Sequence, residues 1–348
     1  MNTRVLVTGA TGYVAGHCIA ELLAHGYTVR GTVRDTASAR SRPHLAEHLR
    51  DGRLELVIAT LDSDAGWAEA VDGCDYVLHV ASPFPSTPPA NESELIEPAV
   101  QGTLRVLRAA AAGDVRRVVL TSSVAAVAYG HDVDKARTEA DWSVVDKVPA
   151  YQKSKTLAER AAWEFAESLP TERGFELVAV NPGMILGPVF DTRLSTSHEA
   201  VRKLLDGSAP GSVRTGWAPV DVRDLAVAHR LAMEHPDAPG NRYICADDPL
   251  WMGDMARILA DQYVPQGYSV PTRVVPNWLV RVVAVFDRTV RLTVPVLGRT
   301  EFVSADKARR ELGWTMRPIA ETLADTVDSL IEHGVVRSRR TATAPVGV

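Results

Sequence analysis

The sequence predicts an α/β protein with a doubly wound parallel sheet, followed by a smaller C-terminal lobe. Three observations predict it. Short β-branched runs alternate with longer helical patterns from residue 3 to about 181, a glycine-punctuated loop follows the first run, and the texture changes after about residue 182.

The runs are RVLVT, YTVRGTV, LELVIA, DYVLHVA, RRVVLTSS and FELVAVNP. They are rich in Val, Leu and Ile without polar alternation, as strands buried on both faces of a parallel sheet must be. Between them lie helical patterns such as HCIAELLAHG, AGWAEAVDG and LIEPAVQGTLRVLRAAAAG, each closed by a Gly that suits a helix stop. Residues 1–181 are therefore read as a dinucleotide-binding domain of the Rossmann kind. Residues 182–334 are read as mainly a substrate-binding lobe, with helices near 197–206, 222–235, 250–263, 276–290 and 317–333 and at least one strand returning to the sheet. The tail, 335–348, has no apolar periodicity and is expected to be flexible.

The segment VLVTGATGYVAG, from Val5 to Gly16, places Gly9, Gly12 and Ala15 between a buried strand and a helix beginning near Tyr13. Gly9 permits the tight turn, Gly12 lets backbone approach a pyrophosphate, and Ala15 lets the helix pack close to the strand. The N–H groups of the helix N-terminus then face the anion. An NAD site usually ends its second strand with an acid for the ribose hydroxyls. Here YTVRGTVRD ends with Arg34, suited to a 2′-phosphate, and Asp35 follows one place late. NADP(H) is the cofactor expected.

The segment AYQKSKTLAERAAWEFAESL (Ala150 to Leu169) reads as a helix with Leu157, Ala161, Phe165 and Leu169 one turn apart. Tyr151 and Lys155 project from one face near its start. The chain has eight Tyr and only six Lys among 38 basic residues, so this spacing is expected by chance only about 0.14 times. Carbonyl reduction needs a proton donor for the developing alkoxide, and a neighbouring ammonium lowers a phenol's pKa toward working pH. Thr121, Ser122 and Ser123 stand where a buried strand meets the sheet's C-terminal edge. Ser122 and Ser123 must point to opposite sides, and Ser123 is the catalytic choice. Thr121 is assigned to the cofactor's edge.

The counts exclude several classes. Apolar content of 46% and a net charge of −5 argue against disorder and against a nucleic-acid partner. WLVRVVAVF is too short and, with Arg281, too charged to span a bilayer, so no membrane partner is expected. Cys18, Cys74 and Cys245 form no disulfide framework or zinc spacing, the start shows no secretory signal, and no H-E-x-x-H occurs. No metal site is expected, and the expected location is the cytoplasm.

With these motifs, the chain resembles the extended short-chain dehydrogenase/reductases. It is most similar to the branch of dihydroflavonol reductases, cinnamoyl-CoA reductases and yeast-type methylglyoxal/aldehyde reductases. The resemblance rests on TGATGYVA, TVRD, HVASPFP, EPAVQGTLRVLRAA, VVLTSSVAAV, AYQKSKTLAERAAW, AVNPGMILGP, VDVRDLAVAH, GNRYIC and DKARRELGW, in that order over residues 3–334. It implies that Thr11, Gly12, Tyr13 and Val14 line the pyrophosphate and that Arg34 binds the 2′-phosphate. The backbone at Leu61 would contact adenine, and Val80, Ala81 and Ser82 would run under the ribose. Pro182, Met184 and Ile185 would flank the nicotinamide amide. Ser123, Tyr151 and Lys155 match the catalytic triad, with Tyr151 and Lys155 also reaching the cofactor. Phe84, Tyr129, Met184 and Phe190 are candidates for an apolar substrate wall, though each is also an ordinary core residue type.

There are three departures. The acid usual after strand three, which contacts adenine, is displaced to Asp62; AYQKSK replaces the NWYCYGK of cinnamoyl-CoA reductases, which weakens a CoA-thioester substrate; and RTGWAPVDVRD replaces the polar flavonoid-binding pattern of dihydroflavonol reductases. The expected function is NADPH-dependent reduction of an aldehyde or ketone by a monomer or homodimer. An NAD-dependent sugar-nucleotide epimerase or dehydratase and a non-catalytic NADP-sensing protein on the same fold are the alternatives.

Overall fold

The computed structural model describes residues 3–83, 91–133, 135–170, 174–208, 211–246, 248–286, 290 and 294–338. Phe84 and residues 339–348, most of the expected tail, lie outside the described residues. The chain forms two compact units. One comprises Met1–Gly183, Val222–Cys245 and Val303–Thr315, and the other Met184–Asp221, Ala246–Phe302 and Met316–Val348.

The first unit carries the six strands read from the sequence: β1 (Arg4–Val7), β2 (Thr28–Val33), β3 (Leu54–Ile58), β4 (Tyr76–His79), β5 (Arg117–Thr121) and β6 (Glu176–Pro182). A seventh, Arg242–Cys245, returns from beyond residue 182 and pairs with β6. From the Arg242–Cys245 edge the order runs β6, β5, β4, β1, β2, β3, and every pair is parallel. Val5, Leu6 and Val7 are fully buried, as the central strand of a two-faced sheet requires. The strand order reverses between β1 and β4, and the C-terminal ends of those strands are where such sheets bind ligands.

One face is covered by the helices Trp67–Val71, Ser93–Ala112 and Ala150–Ser168, around Leu6, Val77, Val106, Leu107, Val118 and Ala162. The last helix buries Ala158 and Ala162, while Leu157 and Ala161 of the stripe expected from the sequence are half-buried. It packs on the Ser93–Ala112 helix as well as on the sheet side, so its buried surface is wider than one stripe. On the other face Tyr13–Ala24 packs against Val222–Glu234. Arg230 reaches Glu21 at 2.8 Å and the Tyr27 hydroxyl donates to Glu234 at 2.7 Å. The late motif DKARRELGW also returns to this unit. Its Trp314 is buried and donates its indole N–H to the Asp224 carbonyl at 2.8 Å.

The second unit holds the helices Thr196–Leu205, Met252–Tyr263, Asn277–Phe286 and Ile319–Glu332, close to the expected spans. Its core joins Leu186, Val201, Leu204, Leu259, Tyr263, Leu323 and Val327. Met184–Leu186 pairs in parallel with Pro219–Asp221, and Gly216–Trp217 pairs antiparallel with Leu250–Trp251. Among the described residues, no helix is long and apolar enough to cross a membrane.

Candidate active site

The loop after β1 is held open by its own backbone and by two buried hydroxyls. Gly9 has φ +68°, a conformation that L side chains rarely adopt, and a Cβ there would meet the Ala81 Cβ at 3.0 Å. The Gly9 N–H donates to the Thr32 hydroxyl and the Ala10 N–H to the Thr32 carbonyl, each at 2.9 Å. The Thr8 oxygen accepts the N–H groups of Val80 and Ala81 at 3.0 and 2.9 Å. This ties the first loop to the segment after β4 that the family resemblance places under the ribose. Gly12 is the N-cap of Tyr13–Ala24 and supplies no side-chain cap, and the first turn carries no acid. Small residues, an uncapped helix N-terminus and half-buried Thr11, Tyr13 and Val14 make a cradle that fits a dinucleotide pyrophosphate.

At the far end of β2, Arg34 is exposed. Asp35 caps the helix Thr36–Arg40, accepting the N–H groups of Ala37 and Ser38 at 3.0 Å each. Both its oxygens are thereby engaged by backbone. Leu61 sits against Gly102, where a Cβ would meet the Leu61 Cβ at 3.1 Å. Asp62 is exposed to solvent, and a hydrogen bond from Thr60, with Arg105 and Arg34 nearby, holds its carboxyl below the usual range.

The three hydroxyls at the end of β5 go to three partners. Thr121 meets Nε2 of buried His229 at 2.7 Å, and because the Nδ1 of that ring donates to the Leu225 carbonyl, Thr121 is the donor. Ser122 is buried and donates to Glu159. Ser123, with extended backbone, caps the short turn Val124–Ala126 through the Ala125 N–H at 3.1 Å.

Tyr151 and Lys155 stand in the first turns of Ala150–Ser168, which starts after Pro149. The Lys155 Nζ donates to the Ser82 hydroxyl at 3.1 Å, so the helix and the segment after β4 meet at this lysine. Burial pulls its pKa down to about 8, against an upward pull from Glu159. The adjoining His79 is fully buried, and burial, with Lys155 beside it, lowers its pKa to about 3.

Sequence reasoning missed the polar cluster behind these groups. The Glu159 side chain is fully buried, ion-paired to Arg242 at 2.6 Å and bonded by the Asn181 amide at 2.8 Å and the Trp163 indole at 3.3 Å. The Arg242 guanidinium also donates to the carbonyls of Glu139 and Asp141, both at 2.8 Å, and lies 3.7 Å from the centre of the Trp142 ring. A Glu four residues after Lys155 on the same helix was the one available signal.

The first unit therefore holds Gly9, Thr11, Gly12, Tyr13, Val14, Arg34, Leu61, Val80, Ala81, Ser82, Thr121, Ser123, Tyr129, Tyr151, Lys155 and Pro182. Met184, Ile185 and Phe190 belong to the second, where Met184 packs against the core. Tyr129 is half-buried, with its N–H on the Ser143 hydroxyl at 2.9 Å. Among the described residues, no three His, Cys, Asp or Glu side chains cluster as metal ligands.

Comparison with known proteins agrees with this geometry. Residues 5–246 match the NAD dependent epimerase/dehydratase family. The chain is 37% identical over 341 residues to cinnamoyl-CoA reductase 1 of Petunia hybrida, covering 95% of this chain and 92% of that one. It is 35% identical over 279 residues to dihydroflavonol 4-reductase of Hordeum vulgare, covering 77% of each. The solved structure of yeast methylglyoxal/isovaleraldehyde reductase Gre2 complexed with NADPH is similar with a TM-score of 0.79 at 29% identity. That match covers 96% of this chain and 100% of that one. The chain belongs to the NAD dependent epimerase/dehydratase family, the extended short-chain dehydrogenase/reductases.

Proposed function

We propose that this chain is an NADP(H)-dependent reductase that converts a small-molecule aldehyde or ketone to an alcohol, with Ser123, Tyr151 and Lys155 as its catalytic residues. The observation that carries the reading is Lys155, half-buried one turn from Tyr151, with its ammonium on Ser82 beside the dinucleotide cradle. Tyr151 donates the proton to the developing alkoxide. The Lys155 charge favours the phenolate that remains, and the Ser123 hydroxyl hydrogen-bonds the same oxygen. Bound NADPH supplies the hydride. Arg34, whose neighbour Asp35 is spent on a helix cap, supports the phosphorylated cofactor over NAD(H). The relatives include reductases of cinnamoyl-CoA, dihydroflavonol and methylglyoxal. Because AYQKSK stands where the thioester reductases carry NWYCYGK, we favour a free carbonyl over a CoA thioester. Three free, buried cysteines suit a reducing compartment, and we place the enzyme in the cytoplasm.

The test is NADPH consumption with a panel of aldehydes, ketoesters and aryl ketones. Turnover of at least one class, lost in Tyr151→Phe, supports the reading. A folded protein that consumes no NADPH with any of them overturns it.

A further inference from the structure

Burying a carboxylate is costly, and a core that needed only volume would be better served by an apolar side chain. Yet the fully buried Glu159 gathers donors from the elements that carry the catalytic set. Ser122 comes from the end of β5, Asn181 from β6, Arg242 from the strand beside β6, and Trp163 from its own helix. The Asn181 amide is shared, since its second contact is the Ser123 carbonyl at 3.2 Å. One helical turn before Glu159 stands Lys155.

We infer that Glu159 is a positioning residue for the reduction, fixing the Ser123 backbone through Asn181 and holding protons on the Tyr151–Lys155 pair through its charge. The inference rests on the reductase reading above. Among the described residues, Glu159 and, one turn the other way, Tyr151 neighbour Lys155 on its own helix, and His79 and Ser82 approach it from β4 and the segment after it. His79 is neutral because of its burial, so the charge that acts on Lys155 is that of Glu159. Arg242 lies beyond that carboxylate, fixed by Glu139, Asp141 and Trp142. Reduction requires both the phenol and the ammonium to be protonated. Removing a nearby negative charge makes proton loss from either group easier, so the alkaline limb of the rate must move to lower pH.

The test is the pH dependence of kcat/KM for NADPH-driven reduction in wild type and Glu159→Gln, with NADPH affinity measured by fluorescence. The expected result is an alkaline limb about one pH unit lower and a kcat reduced about tenfold, with the NADPH Kd within about threefold. A role confined to stability would lower the amount of folded enzyme without moving the limb. Glu159→Gln leaves the Arg242 charge buried and unpaired and can fail to fold, so Glu159→Gln/Arg242→Met is the second variant, with a shift in the same direction but smaller because the opposing Arg242 charge is removed too. A limb that coincides with wild type in the folded variant overturns the inference. Tyr151→Phe run alongside separates the two failures. Wild type inactive with every carbonyl overturns the reductase reading, activity surviving in Tyr151→Phe overturns the Tyr151 assignment and this inference together, and an inactive Tyr151→Phe with an unmoved limb overturns this inference alone.

Discussion

The Thr8 hydroxyl lies 3.0 Å from Nδ1 of His79, while its oxygen already accepts the N–H groups of Val80 and Ala81. With both lone pairs engaged, the hydroxyl has only its proton to give, so His79 is neutral and accepts at Nδ1. Thr8→Val keeps the shape and removes the acceptor, leaving the half-buried Ala81 N–H without this partner and the Val80 N–H with the Leu78 carbonyl at 3.2 Å, at a cost of about 1–3 kcal/mol. The melting temperature should fall by several degrees and the NADPH Kd should rise about tenfold, because the segment that meets the cofactor loosens. Thr8→Ser should restore both. A Thr8→Val variant with wild-type melting and affinity would remove this hydroxyl from the site.

This relationship marks where sequence reading stopped. Gly9, Gly12, Tyr151 and Lys155 were legible because their signal is local: a turn that needs small residues, and two side chains one helical turn apart. Six strands were legible as buried apolar runs. RYIC was not placed as a strand because only Ile244 among its residues is β-branched, and the ion pair that buries its Arg242 lies 83 residues away at Glu159. Thr8 and Thr32 are ordinary strand residues until the sheet brings β4 and β2 alongside β1. Pairings across such distances have no period or spacing to betray them.

Cofactor choice separates two neighbours. Arg34→Ala should shrink the ratio of kcat/KM for NADPH over NADH by tenfold or more, since it removes the proposed partner of the 2′-phosphate. Asp35→Ala should leave that ratio within about threefold and cost about 1 kcal/mol of stability through loss of the cap. An Arg34→Ala enzyme with an unchanged ratio would move phosphate recognition elsewhere.

Ser122 and Ser123 separate stability from chemistry. Ser123→Ala should lower kcat by about 10²-fold with little change in melting if its hydroxyl bonds the reacting oxygen as proposed. Ser122→Ala takes a buried donor from Glu159 and should register first in the melting curve, at about 1–3 kcal/mol. Single-turnover rates and thermal melts of the two variants decide the assignment. A larger rate loss in Ser122→Ala would exchange the roles.

Acid should destabilise the first unit in a defined window. Burial lowers the pKa of His79 to about 3 and that of His229 to about 4, and both rings are held neutral by Thr8 and Thr121. The folded values lie below the unfolded value of about 6.5, so the unfolded chain takes up protons first. The stability these neutral rings contribute is complete above about pH 6.5 and is lost as pH falls toward 4. Near pH 5 the unfolded state holds about two more protons than the folded state at these sites. Stability should therefore fall by about 3 kcal/mol per pH unit there. Glu139, whose carboxyl burial pushes up, works in the opposite direction and flattens the curve near its own ordinary range. Urea unfolding between pH 7.5 and 4.5 measures the slope, to which buried His198, also lowered to about 4, adds its own share, and His229→Gln should remove about half of the part that His79 and His229 contribute. A slope unchanged in that variant would mean that His229 is protonated in the folded protein, and its bond from Thr121 would have to be abandoned.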